Sequence, residues 1–151
     1  MWTAVAGSAL LVGLTGCAPS IQQQAEADLH MQLERVQKSF TSASSRVNST
    51  TELLEIGYIP DFSEFKTNTD LNINKTGWYA ESQHGHEGTV YVLGVGEAEG
   101  NEGLSYADAM VFRCVRMTVP LGRDGEVATE KVPCPPALRK AANIGGSGPE
   151  L

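Results

Sequence analysis

An apolar stripe is the feature of this sequence that most constrains its fold. Ser20, followed three residues later by Gln23, makes a capping-box pattern, which predicts where a helix begins. Spaced alternately by four and three, the apolar residues that follow lie on one face of a helix of about seven turns. We expect this stripe to pack across the chain's own sheet; a short coiled coil is the alternative. The stripe consists of Leu29, Leu33, Val36, Phe40, Ala43 and Val47.

The second half of the chain predicts antiparallel strands. Residues 89–95 are apolar on both faces, which is typical of a strand in the middle of a covered sheet. The connections are short enough for hairpins, and residues 97–103, acidic and glycine-rich, predict a loop. The fold class is therefore α+β: a long N-terminal helix on an antiparallel sheet of about four strands, with a disulfide-stapled C-terminal hairpin. The strands are predicted at residues 76–83, 89–95, 106–119 and 126–132.

The remaining segments have weaker patterns. Residues 51–56 predict a further helical turn, and residues 57–74 predict an irregular crossing with Ile59, Phe62 and Phe65 as core anchors. Residues 138–142 predict one helical turn.

A short apolar run lies near the start of the chain. Residues 4–14 are too few to span a membrane, which takes about twenty residues, but they suit the hydrophobic region of a secretory signal. Leu14-Thr15-Gly16-Cys17 follows directly and resembles the lipobox of bacterial lipoproteins. No Lys or Arg precedes the run. An ordinary cleaved signal and an N-terminal helix of the fold are the alternatives.

The resemblance implies a membrane anchor. In bacterial lipoproteins the cysteine receives lipid through a thioether and the chain is cut before it. Cys17 would then hold the protein on the extracytoplasmic face of the cell membrane without spanning it. The implied organisation is a signal peptide at 1–16, a lipidated Cys and tether at 17–19, a single domain at 20–144 and a frayed tail at 145–151.

Assigning Cys17 to lipid leaves Cys114 and Cys134 as a pair. Outside the cytoplasm such a pair can oxidise, and two reduced buried cysteines are the alternative. A hairpin with Gly125 in the left-handed position puts Cys114 opposite Cys134 in the predicted register.

The charge excludes one class of partner. The chain carries 18 acidic and 11 basic residues, a net charge of −7, and its first 25 residues have no charged side chain. An acidic mature surface without a Lys/Arg stripe repels a phosphate backbone, so we expect no nucleic-acid partner.

Motifs for cofactor or nucleophilic chemistry are missing. Gly94-Val95-Gly96 lacks the third glycine of a dinucleotide-binding turn, and no serine sits in a Gly-x-Ser-x-Gly elbow. Glu97 and Glu99 fall in the predicted loop, where paired carboxylates would lack a fixed separation. We predict no cofactor and no catalytic residue.

His84 and His86 flank Gly85 and could meet one metal ion. A zinc site needs further ligands, so we predict no metal and a solvated hairpin loop. Trp78, Tyr79, Tyr91 and Tyr106 are either core residues or part of a binding surface. The candidate binding residues are Trp78, Tyr79, His84, His86 and Tyr91.

These patterns favour a non-catalytic binding or accessory domain for an envelope protein or a small envelope ligand. One alternative is a small envelope hydrolase that uses the His84/His86 region. Another is an assembly or spacer protein. We expect a monomer, with a dimer through the 29–47 helix as the alternative.

Overall fold

A computed structural model describes residues 19–66, 75–102, 105–144 and 150–151. The predictions for Cys17 and the signal segment lie outside these residues. Four strands form one antiparallel sheet in the order β1-β2-β3-β4, which confirms the predicted α+β fold. No helix in the described part of the chain is long and apolar enough to cross a membrane. The elements are α1 (Ile21–Ala43), a 3-10 turn (Ser44–Arg46), α2 (Thr50–Gly57), β1 (Gly77–His84), β2 (Glu87–Glu102), β3 (Ser105–Pro120), β4 (Ala128–Val132) and α3 (Pro136–Ile144).

Helix α1 begins as its capping box predicts. The backbone N–H of Gln23 donates to Ser20 Oγ at 3.2 Å, and the backbone N–H of Ser20 donates to Gln23 Oε1 at 3.0 Å. All six residues of the apolar stripe are buried, and α1 packs on β2 and β3. The predicted packing of the stripe on the chain's own sheet is confirmed.

Helix α1 runs antiparallel to β2. Its first residue, Ile21, lies beside Gly100 near the end of β2, whereas Thr50, just after α1, lies beside Gly88 at the start of β2. A helix of 23 residues is about 34 Å long. The N-terminus of α1 and the β1–β2 turn therefore lie at opposite ends of the domain.

The sheet is covered on both faces. One face of β2 and β3 carries valines that pack under α1, and the other carries a second core. Phe62 and Phe65, in the segment between α2 and β1, and Leu138 of α3 cover that second core. This arrangement confirms the prediction that residues 89–95 form a strand in the middle of a covered sheet.

The predicted acidic loop at residues 97–103 is wrong as far as residue 102. Residues 97–102 continue strand β2, and their pairing with β3 extends to Glu102 opposite Ser105. The physical reason is a row of small residues at alternate positions. Gly96, Ala98 and Gly100 face α1 and let the helix lie directly on the strand. Glu97 and Glu99 consequently have fixed places on a strand.

The predicted tight turn before β4 is also wrong. The left-handed glycine is Gly122, with φ +68°, and not Gly125. The Gly122 N–H donates to the carbonyls of Ser44 at 2.9 Å and Val47 at 2.7 Å. This tether to the end of α1 draws the chain into a wider loop, so β4 begins only at Ala128.

The wider loop shifts the register by two residues. Cys114 pairs with Val132, and Cys134 follows just beyond the end of β4. The disulfide between Cys114 and Cys134 still forms, with a Cα–Cα distance of 5.2 Å, and joins β3 to the segment that leads into α3. The predicted pairing of the cysteines is confirmed, although the register from which it was inferred is not.

The last two residues are held on the sheet. Leu151 N donates to the Phe112 carbonyl at 3.0 Å, and Glu150 accepts from the Cys134 N–H at 3.0 Å. Glu150 also pairs with Arg139 at 2.9 Å. The predicted frayed tail is wrong for residues 150–151, and residues 145–149 lie outside the described part of the chain. Contacts this distant in sequence leave no local pattern.

Candidate functional site

The three predicted aromatic binding residues lie on opposite faces of the sheet. Trp78 is partly buried against the core under α1, whereas Tyr79 and Tyr91 belong to the second core. Neighbouring residues of a strand face opposite sides of a sheet, as Trp78 and Tyr79 do, and the register irregularity between Trp78 and Ala80 lets Tyr79 and Ala80 both face the second core. These side chains therefore do not form one binding surface.

Tyr79 is a core residue. It is 6% exposed, and its ring meets Phe65 edge-on at 6.0 Å between centroids and Tyr91 at 5.9 Å. Burial, followed by the charges of Tyr91 and Glu150, raises the pKa of Tyr79 to about 12. Because the phenol is held in its neutral form well above neutral pH, it is a poor candidate for proton transfer.

His84 and His86 lie at the tip of the β1–β2 hairpin. Both are exposed, and between them Gly85 adopts a left-handed φ of +57°. Neither imidazole makes a hydrogen bond or ion pair with any other side chain that the structure describes. Within the same residues, no three His, Cys, Asp or Glu side chains come together as metal ligands.

Three loops meet at this end of the domain, and we call them the apex: residues 44–49, 84–87 and 121–126. Hydrogen bonds join all three. Leu121 N donates to the His86 carbonyl at 2.8 Å, and Gly122 N donates to the carbonyls of Ser44 and Val47 in the 44–49 loop. The His86 backbone is thus part of a fixed surface although its side chain is free in solvent.

Gln83 connects the hairpin to the α1–α2 corner. Its Nε2 donates to the carbonyls of Asn48 and Gly85, both at 3.0 Å, and its Oε1 accepts from the Thr50 N–H at 3.2 Å. The Thr50 hydroxyl in turn donates to Glu81. Through these hydrogen bonds, the side chains of β1 hold the apex loops in one arrangement.

A cleft of about 580 Å³ lies between α1 and the segment after α2. Arg35 and Lys75 place positive charges in the cleft, and Asp28 and Glu97 place negative ones. Asp28 Oδ2 accepts from the Glu97 N–H at 3.1 Å. A polar cleft with both signs of charge suits a zwitterionic or polar ligand better than an apolar one.

Tyr58 stands at the rim of this cleft and was missed by sequence reasoning. It ends α2 in the left-handed conformation, with φ +49°, and its side chain is 92% exposed. Non-glycine residues adopt this conformation uncommonly, and an exposed ring held there is a candidate contact for a ligand. The residue that follows a helix often adopts the left-handed conformation. In the sequence, therefore, only the predicted end of α2 could have indicated Tyr58.

Comparisons with known families, curated proteins and solved structures find no match to this chain.

Proposed function

We propose that this chain is a non-catalytic binding domain, anchored by lipid on Cys17 to the outer face of a bacterial membrane. The lipobox at residues 14–17 supports the anchor. Ser20, which caps α1, lies three residues after Cys17. So short a tether would hold the N-terminal end of α1 close to the lipid headgroups.

The antiparallel arrangement of α1 and β2 carries the proposal. With the N-terminus of α1 at the membrane, the end of β2, where Gly100 lies beside Ile21, would also face the bilayer. The apex would then stand about 34 Å farther out, the length of α1. The joined loops of the apex, with exposed charged side chains at Arg123, Asp124 and Glu126, would be the surface offered to an envelope protein.

The two alternatives have less support. A hydrolase that uses His84 or His86 needs an imidazole bonded to an orienting acid and close to a nucleophile, and neither histidine has such a partner among the described residues. A dimer through the 29–47 stripe would require α1 to leave the sheet, because the stripe is already covered.

Intact mass of the membrane-fraction protein tests the anchor. We expect loss of residues 1–16 and an added acyl mass on Cys17, with Cys114 and Cys134 alkylated only after reduction. Cys17→Ser should abolish both processing and acylation. The double variant Cys114→Ala/Cys134→Ala is the matched control and should remain acylated. An unprocessed wild-type chain would overturn the anchor.

Depth-dependent quenching tests the orientation. A fluorophore on Asn101→Cys, near the end of β2, should be quenched by lipids that carry a spin label at the headgroup. The same fluorophore on Arg123→Cys, at the apex, should not be. Both positions are exposed, so the labels differ mainly in their distance from the anchor. Equal quenching, or stronger quenching at position 123, would contradict the proposed orientation.

A further inference from the structure

A second pocket, of about 370 Å³, lies between α1 and strands β3 and β4, on the helix side of the sheet. It is separate from the apex and from the cleft beside Tyr58. Its lining residues come from one flank of α1 and from β3 and β4: His30, Leu33, Glu34, Gln37, Arg113, Val115, Thr129 and Lys131.

Arg113 gives this pocket its charge. The residue is partly buried, and its Nε is buried without a hydrogen-bond partner among the described residues. None of the ion pairs that the structure describes includes Arg113. A guanidinium stays protonated at any ordinary pH, so taking it partly out of water without a counter-charge is unfavourable.

The other groups around Arg113 increase the positive charge. Lys131 lines the same pocket, and none of the described ion pairs includes it either. His30 adds a ring nitrogen from the helix. The one carboxylate in the lining, Glu34, pairs with Lys38 at 3.1 Å. In a chain of net charge −7, the cationic side chains of Arg113 and Lys131 have no ion-pair partner among the described residues.

The remaining polar residue on the helix side is fixed by the fold. Gln37 Nε2 donates to the Val127 carbonyl at 2.8 Å, so its amide is held against the segment that leads into β4. Thr129, exposed on β4, offers a hydroxyl on the opposite side.

We propose that this pocket binds a phosphoryl group. An anion beside Arg113 would supply the missing counter-charge. Its several oxygens could meet the planar guanidinium, the Lys131 ammonium and the His30 ring from different directions, which is how Arg and Lys share phosphate recognition. A soluble phosphate ester and a lipid headgroup present the same chemistry. The site does not depend on the anchor or on the function of the apex.

Proton–nitrogen NMR of the full chain in neutral detergent micelles tests this site. Inorganic phosphate should shift the Arg113 Nε–Hε resonance saturably. Lys131→Gln should weaken the apparent affinity by about tenfold, because one charge-assisted contact is lost. Arg113→Gln removes this resonance, so its effect is read on the Lys131 backbone amide, which phosphate should shift saturably in the wild type and not in the variant. Lys140→Gln, a change at an exposed lysine on α3, is the matched control and should leave the affinity unchanged.

A second arm separates the two sources of phosphate. The chain is placed in phosphatidylcholine nanodiscs with or without phosphatidylglycerol. A shift of Arg113 that needs phosphatidylglycerol and is lost in Lys131→Gln assigns the site to a lipid headgroup. A shift by phosphate in either nanodisc assigns it to a soluble ester. If neither probe gives a saturable shift, or if Lys140→Gln has the same effect as Lys131→Gln, the proposal is overturned. Because Lys131 is exposed, its variant should fold and keeps the test decisive.

Discussion

Gly96 lies directly against the backbone of helix α1: a Cβ on Gly96 would stand 2.1 Å from the Ala25 carbonyl oxygen and 2.4 Å from the Leu29 nitrogen. Neither atom can move without moving the helix. The glycine at this position of β2 therefore sets how closely α1 approaches the sheet, and with it the position of the N-terminal end that the proposed anchor would hold.

Substitution of Gly96 tests this contact. Gly96→Ala should lower the free energy of unfolding by about 3 kcal/mol, because the added methyl group overpacks against backbone. Gly100→Ala is the matched control. A Cβ there meets only the tip of the Ile21 side chain, at 2.7 Å, and the loss should stay below about 1 kcal/mol. Urea unfolding of both variants decides the matter, and equal losses would mean that α1 can shift.

The disulfide joins β3 to the segment that follows β4. Cys114 and Cys134 are both buried, and they lie 20 positions apart in the sequence. The double variant Cys114→Ala/Cys134→Ala should therefore lose about 3 kcal/mol of stability in denaturant unfolding. The main cause is that the unfolded chain gains conformational entropy when the crosslink is removed. Cys17→Ser should leave the transition unchanged. A double variant as stable as the wild type would show that the second core holds α3 without the bridge.

Burial of Tyr79 predicts a loss of stability at alkaline pH. Its pKa rises from 10.0 to about 12 on folding, so the unfolded chain loses this proton at a lower pH than the folded chain. The contribution is fully present below pH 10 and is lost as the pH rises toward about 12. Unfolding measured across this window should show a weaker pH dependence in Tyr79→Phe than in wild type. Tyr58→Phe, which alters an exposed ring, should follow the wild-type curve; if Tyr79→Phe also follows it, burial of Tyr79 does not cause the loss.

The parts of the fold that follow local rules could be predicted from the sequence. The spacing from Leu29 to Val47 and the Ser20–Gln23 pair each depend on residues within one or two helical turns. The small residues Gly94, Gly96, Ala98 and Gly100 recur at a period of two, which is a strand signal, but their acidic neighbours led to the prediction of a loop.

The parts that depend on distant contacts could not be predicted. The Gly122 N–H bonds to carbonyls more than seventy residues earlier in the chain, and this tether sets the register of β4. Arg113 lies at a strand position that sequence alone cannot distinguish from a solvated one. Its unpaired Nε becomes evident only once α1 is packed over it, so the pocket around Arg113 left no motif.

Glu150 holds the end of the chain to the disulfide segment through two contacts, with the Cys134 N–H and with Arg139. Glu150→Gln keeps the shape of the side chain but removes its charge. We expect it to lower the free energy of unfolding by about 1 to 2 kcal/mol, because a hydrogen bond to a charged acceptor and a partly buried ion pair are both weakened. Glu130→Gln is the matched control. Glu130 pairs with Arg116 on the solvent-exposed side of β4, where such pairs contribute less than about 1 kcal/mol.

Amide hydrogen exchange adds a local measurement: exchange at Cys134 and Leu151 should quicken in Glu150→Gln and stay slow in Glu130→Gln. Unchanged exchange in both variants would mean that the Leu151–Phe112 hydrogen bond alone keeps the end of the chain on the sheet.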